Sequence, residues 1–314
     1  MCFVGSATIG TDHIDRQALD DLGIAFAHAP GCNARAVVEY VLQALLLACH
    51  KQGRSLRESR VGIVGLGNVG GRLADWLNAL GVTVIGCDPP LARAGARAPV
   101  PLDPLDAALE ADLISLHVPL TRDGDDATHH LLDAERLARL GPEQTLISTC
   151  RGPVIDNRAL AARLEQEDAP LALLDVWENE PRPDPALLDR VFLGSPHVAG
   201  YSVEGKWRGT AMLHQAWCRW RGESAPEMAP PTEDAELDAP VHDEADLLAL
   251  LRRAYRLHED DARLREAVRA PDPGVAFDTL RKNYPPRHEL LYWRHRGNVA
   301  APFKPLVSRL FAPE

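Results

Sequence analysis

At 314 residues, 46% of them hydrophobic, the chain has the length and apolar content to build more than one buried core. Its formal charge is −11, with 45 acidic against 34 basic side chains, and that balance excludes a broad basic face for nucleic acid. Six cysteines (Cys2, Cys32, Cys49, Cys87, Cys150, Cys218) form no C-x-x-C pair, and neither a secretory leader nor an apolar run of bilayer length is present; the expectation is a cytoplasmic protein with reduced thiols, no metal site and no membrane partner.

From Asn33 the stretch NARAVVEYVLQALLLACHKQG carries Val37, Val38, Val41, Leu42, Leu45 and Leu46 on one broad face. This predicts a long helix, capped by Asn33 and ending near Gly53. Short apolar runs then alternate with helical stretches: RVGIVG, NVGGRLADWLNALG, VTVIGCD, PLDAALEA, DLISLHV, DAERLARL, QTLIST, NRALAARLEQ and LALLDV. The strands are continuously apolar rather than one-sided, which predicts a parallel sheet covered on both faces. After GSPHVAGYS a helix, GTAMLHQAWCRWRG, leads into residues 223–240, rich in proline and acid, which read as a linker. The remainder, 241–314, reads as a separate module opening on one amphipathic helix, EADLLALLRRAYRLHEDDARLREAV. Roughly seventy residues make a marginal domain. Packing against a partner subunit is therefore expected.

VGIVGLGNVGGRL places Gly65, Gly67 and Gly70, with Asn68 and Val69 between them, in G-x-G-x-x-G spacing between a strand and a helix. The next strand ends at Asp88, 18 residues beyond Gly70. Glycines there permit a tight turn, close approach of a pyrophosphate and close helix packing, while the helix offers free N–H groups to the anion. Asp88 is expected to accept from the adenosine ribose hydroxyls, and Pro89-Pro90-Leu91 brings no arginine to receive a 2′-phosphate. NAD is expected over NADP.

Arg151 follows the run TLISTC, Glu180 follows LLDVWEN, and His197 lies in GSPHVAG, all where strands of the sheet end. Ligands of open parallel sheets bind at that edge. Each has a plainer alternative: Arg151 could pair structurally with a carboxylate, Glu180 could sit in an acidic turn, and His197 could simply pack.

The series GLGNVG, Asp88, CRGPVIDN, LDVWENEP and SPHVAGY resembles the D-isomer-specific 2-hydroxyacid dehydrogenases. GSATIGTDHID, APGCNARAVVEYV, CDPP, GYSVEGKWRGT, LRKNY and the extra C-terminal module resemble a branch of that family whose substrate carries a phosphate, on the route to pyridoxal 5′-phosphate. The resemblance implies a doubly wound, Rossmann-like NAD domain (34–200) inserted in a smaller substrate domain. The latter would be represented by 1–33 and a returning helix at 201–222, with 223–314 forming a linker and an α+β dimerisation module. It implies that Arg151 binds the substrate's carboxylate and C2 oxygen, that His197 is the acid/base, and that Glu180 orients the imidazole and stabilises its positive charge. It further implies that Asp175 contacts the nicotinamide half of NAD, that Gly200 contacts the cofactor, and that Tyr201 and Thr8 contact substrate.

Two departures accompany the likeness. Chains of this type normally carry further strands and a substrate-contacting serine loop before MCFVGSATIGTDHID, so a shortened substrate domain with unpaired strand edges is expected. Val118 stands where the family tends to place a threonine against the cofactor. A phosphorylated substrate requires cations, for which Lys206, Arg208, Arg281 and Lys282 are candidates, with a solvated charge cluster as the alternative. Two other readings remain open: a dehydrogenase of an unphosphorylated acid such as glycerate, and a catalytically silent NAD-binding relative.

Overall fold

A computed structural model of the chain describes residues 1–229 and 235–312. Strands β1 (Phe3–Ser6) and β2 (Ala25–His28) pair in parallel as a small sheet of their own. Six further strands, β3 (Arg60–Val64), β4 (Thr83–Cys87), β5 (Leu113–Leu116), β6 (Thr145–Ser148), β7 (Leu171–Leu174) and β8 (Leu193–Gly194), form a parallel sheet in the order β4-β3-β5-β6-β7-β8. Period-two side chains explain why it needs two covered faces. Ile63, Leu113, Ile147 and Leu173 enter the core shared with helices Ala34–Gln52 and Gly70–Leu80; Val64, Ile114, Leu146 and Leu174 enter the core under Leu137, Leu160 and Leu187.

The chain passes from β3 outward to β4, then returns across β3 to β5. The carboxyl ends of β3 and β5 therefore flank the switch point where such sheets open a crevice. The doubly wound expectation holds.

The β1–β2 pair packs on helix Val203–Arg221, whose Ser202 Oγ caps it by accepting from Gly205 N at 2.9 Å. Phe3 meets Trp217 and Trp220 with ring centroids 5.2 and 5.6 Å apart.

The C-terminal module departs from expectation in three ways. Its strands β9 (Ala235–Asp238) and β10 (Trp293–Arg296) pair in parallel, so a strand begins inside the segment read as linker; positions 230–234 of that segment lie outside the described residues. The single amphipathic helix is two, Glu244–Ala254 and Leu257–Val268, because the buried amide of Gln43 donates to Tyr255 O (2.9 Å) and accepts from Leu257 N (3.3 Å). Nor is the module a separate body. Leu247, Leu250, Leu251, Leu257, Leu306 and Leu310 belong to the same core as helix Ala34–Gln52.

Asn33 begins that long helix without capping it by its side chain. Its amide instead fills the space a side chain on Gly200 would need.

Candidate active site

The turn after β3 enters with Gly65 at φ +89°, a left-handed conformation that favours glycine, and a Cβ there would press on the His117–Val118 peptide. A Cβ on Gly70 would collide with the Gly65 carbonyl, so helix Gly70–Leu80 starts directly on the turn. Gly67 is exposed and meets nothing within 4 Å. Two glycines thus close the turn and the third leaves its outer face open, with exposed Asn68 and half-buried Val69 leading into the helix N-terminus. That is the fit a dinucleotide pyrophosphate requires.

Asp88 ends β4 opposite this turn. Its Oδ2 accepts from Leu66 N at 2.8 Å and its Oδ1 from Leu91 N at 2.9 Å, so the carboxylate ties the glycine turn to the helix that follows it. The group remains half-exposed, as an acceptor for ribose hydroxyls must. Val118, half-buried beyond β5, borders the same turn. His117 beside it hydrogen-bonds Ser115 Oγ at 2.8 Å, and desolvation pushes its imidazole down to about 3.

His197 and Glu180 meet. Nδ1 of His197 lies 2.8 Å from Glu180 Oε2, while Glu180 Oε1 accepts from Trp177 N at 2.9 Å. The histidine adopts φ +56°, and its backbone N–H donates to Asp175 O at 2.7 Å. Asp175, only 1% exposed, holds the rest of the loop: Oδ1 accepts from Ser195 Oγ (2.6 Å) and Val198 N (2.8 Å), and Oδ2 from Ala199 N (3.0 Å). Its carboxylate is therefore the anchor under the histidine.

Arg151 stands on a neighbouring loop. A Cβ on Gly152 would overlap the Trp177–Glu178 peptide, and Asn157 and Glu178 exchange backbone-to-side-chain hydrogen bonds at 3.1 Å, so the arginine and glutamate loops are locked together. The guanidinium has a protein partner. Nε and Nη2 donate to Asp12 Oδ1 at 3.2 and 2.9 Å, and Nη1 donates to Cys150 O at 2.8 Å. Partial burial disfavours the Asp12 charge, yet the Arg151 hydrogen bond and positive charge hold its pKa below the ordinary value.

Residues 41–199 match the family described as D-isomer specific 2-hydroxyacid dehydrogenase, NAD binding domain, and residues 228–294 match a family described as a domain of unknown function. Among curated proteins, the chain is 48% identical to an erythronate-4-phosphate dehydrogenase of Marinobacter nauticus, covering 91% of this chain and 77% of that one. It is likewise 48% identical to the Pseudomonas aeruginosa protein of that name, covering 99% and 83%. The chain belongs to the erythronate-4-phosphate dehydrogenase family. A solved D-lactate dehydrogenase of Aquifex aeolicus, complexed with NAD and lactic acid, superposes on this family member with TM-score 0.58 at 25% identity, over 71% of this chain and 77% of that one.

The remaining expected site residues of the dehydrogenase gather nearby. Thr8 Oγ1 donates to Gly10 O at 2.9 Å, and Gly10 is packed against the Arg151 guanidinium, which a Cβ would displace. Tyr201 donates its N–H to Val198 O at 2.8 Å and presents a ring approached by Lys206 Nζ at 5.0 Å and the Arg281 guanidinium at 5.8 Å. Two of the four expected cations thus converge on Tyr201. Arg208 does not: it donates to Cys32 O (2.7 Å) and pairs with the fully buried Glu289 (2.5 Å), so its charge is spent inside the fold. Lys282 is exposed on the helix of the C-terminal module.

Two features were not anticipated from sequence. Asp12, in the GTDHID stretch, reaches Arg151 across 139 positions. His129, His130 and Glu178 bring three metal-capable side chains together, with His130 Nε2 2.7 Å from Glu178 Oε1.

Proposed function

We propose that this chain oxidises 4-phospho-D-erythronate to 2-oxo-3-hydroxy-4-phosphobutanoate with NAD, a step toward pyridoxal 5′-phosphate, as a cytoplasmic homodimer. The observation that carries the reading is the His197–Glu180 pair, 2.8 Å from Nδ1 to Oε2, on a loop anchored at the carboxyl edge of the sheet that bears the glycine turn. With Nδ1 committed to Glu180, Nε2 is the ring nitrogen that takes the C2 hydroxyl proton, and the carboxylate stabilises the imidazolium so formed. Arg151 binds the substrate carboxylate and C2 oxygen with the donors Asp12 leaves outward. Thr8 and Tyr201 border the substrate.

NAD, when bound, supplies the oxidant for the C2 carbinol. Gly65, Gly67, Asn68, Val69 and Gly70 hold its pyrophosphate, Asp88 its adenosine ribose, and Val118 and Gly200 border its nicotinamide side; Asp175, expected there, is 1% exposed with both oxygens engaged and acts from beneath by holding the histidine loop. The cytoplasmic assignment is supported by the six unpaired cysteines. No helix among the described residues is long and apolar enough to cross a membrane.

One observation favours a second reading, an unphosphorylated substrate such as glycerate: Arg208 is unavailable to a phosphate. A side-by-side assay of 4-phospho-D-erythronate and D-glycerate, read as NADH formation, decides. Turnover of the phosphorylated acid at far higher kcat/KM supports the proposal, and preference for glycerate overturns its substrate assignment.

A further inference from the structure

The loop that presents His197 is held from two directions, and one of them is the C-terminal module, expected only to dimerise. Asp175 takes the N–H groups of Val198 and Ala199. The carbonyl of Ala199 is taken by Arg287 Nη1 at 2.9 Å, while Nη2 of the same guanidinium donates to Ala36 O at 2.8 Å in helix Ala34–Gln52. Arg287 is 6% exposed and lies 3.9 Å from the Tyr255 ring centroid, and its own carbonyl accepts from Val203 N at 2.9 Å. A buried arginine is costly to hold without partners, and here two carbonyls and an aromatic face supply them.

A second leg runs parallel. Tyr255 and Tyr284 both donate to Asp260 Oδ2, at 2.8 and 2.7 Å. The Tyr255 ring packs on Tyr40 at 5.6 Å, and the Tyr40 hydroxyl meets Ser195 Oγ at 2.8 Å, which in turn donates to Asp175. Tyr284 also stands edge-on to Tyr201 at 5.6 Å. Residues 195, 199 and 201 are thus each fixed, directly or through one neighbour, by side chains from beyond position 254.

We infer that the C-terminal module is a brace for the catalytic loop, with Arg287 as a positioning residue that sets His197 for proton transfer. The inference rests on the proposed dehydrogenase activity for its kinetic consequence. It does not for its structural one. A loop with a non-glycine residue at φ +56° persists only where its surroundings over-determine it. Removing the guanidinium frees the Ala199 carbonyl and lets the loop relax, with misplacement of the base worth roughly 10- to 100-fold in rate.

The test uses the full chain with Arg287→Gln and Arg287→Lys. Each variant is assayed for kcat per NAD-binding site, and for hydrogen exchange at the Val198 and Ala199 amides against those of helix Gly70–Leu80. The brace predicts lower kcat per site with faster exchange confined to 198–199, and partial recovery of both in Arg287→Lys, which keeps the charge but not the two-carbonyl fork. Should Arg287→Gln fail to fold, Arg287→Lys decides alone. Wild-type kcat per NAD-binding site in the folded variants overturns the proposal, and so does faster exchange spread equally through the helix, since that marks general destabilisation. If wild-type protein turns over no 2-hydroxy acid, the functional reading has failed, and the exchange measurement alone judges the brace.

Discussion

Arg151 and Asp12 form a side-on pair, with Nε and Nη2 of the guanidinium both donating to Asp12 Oδ1, at 3.2 and 2.9 Å. The pair uses the Nε–Nη2 edge and fixes the plane of the guanidinium; Nη1 also donates to Cys150 O, so the remaining N–H groups of Nη1 and Nη2 are the ones the proposed function gives to a substrate carboxylate. Replacing Asp12 by Asn removes a charge-assisted partner, worth about 1.5 kcal/mol or more, so KM for the hydroxy acid should rise about tenfold with NAD affinity unchanged. Steady-state kinetics checks this. A fall in KM would mean that Asp12 competes with the substrate rather than orienting its receptor.

Asp88 serves two ends at once. Its oxygens accept from Leu66 N and Leu91 N, and the proposed function gives the same carboxylate the ribose hydroxyls. Asp88→Ser combined with Pro89→Arg should shift cofactor preference toward NADP; serine can keep the helix cap to Leu91 N, while the lost acceptor for Leu66 N costs about 1 kcal/mol of stability. Paired kcat/KM values for the two cofactors, with a thermal midpoint, measure both effects. Undiminished NAD preference would remove Asp88 from the ribose site.

How much of this was legible in the sequence follows from the range over which each feature is determined. Strands β3, β5, β6 and β7 announce themselves as apolar runs because a sheet buried on both faces needs apolar residues at every position. The glycine turn and Asp88 are equally local. The helix break at Tyr255 is invisible locally, since it is made by Gln43, 212 positions away. Asn33 reads as a cap but its amide packs beside Gly200, and Arg208 reads as a phosphate ligand until the buried Glu289 claims it. Arg151 showed that it needed an anion; that a protein carboxylate meets it first depends on the path of the chain from Gly10 to Asp12.

Glu39 gives the fold a pH signature. It is fully buried beside Glu289, and burial first, then that neighbouring charge, push its carboxyl up to about 8 against the partial relief from Arg287 and Arg35. The folded state therefore holds a proton that the unfolded state releases near 4.5. Stability from this group is fully present below the unfolded pKa and is lost as pH rises through 8. Glu39→Gln keeps the neutral shape, so it should flatten denaturation midpoints between pH 6 and 9 and be the more stable form at the alkaline end. A wild-type curve unchanged by the substitution would contradict this.

Lys206 and Arg281 flank Tyr201 at 5.0 and 5.8 Å, and the proposed function assigns them the substrate's phosphate. Lys206→Ala and Arg281→Ala should each raise KM for 4-phospho-D-erythronate while leaving KM for unphosphorylated D-erythronate unchanged. Equal effects on both substrates would make these cations general to the cleft.

In the proposed reaction His197, held by Glu180, moves the substrate's hydroxyl proton. The most direct measurement of that transfer is turnover of His197→Asn alongside NAD affinity in the same preparation. His197→Asn should leave NAD binding unaltered and lower kcat by roughly 10²- to 10⁴-fold. Near-wild-type turnover with NAD bound would contradict it.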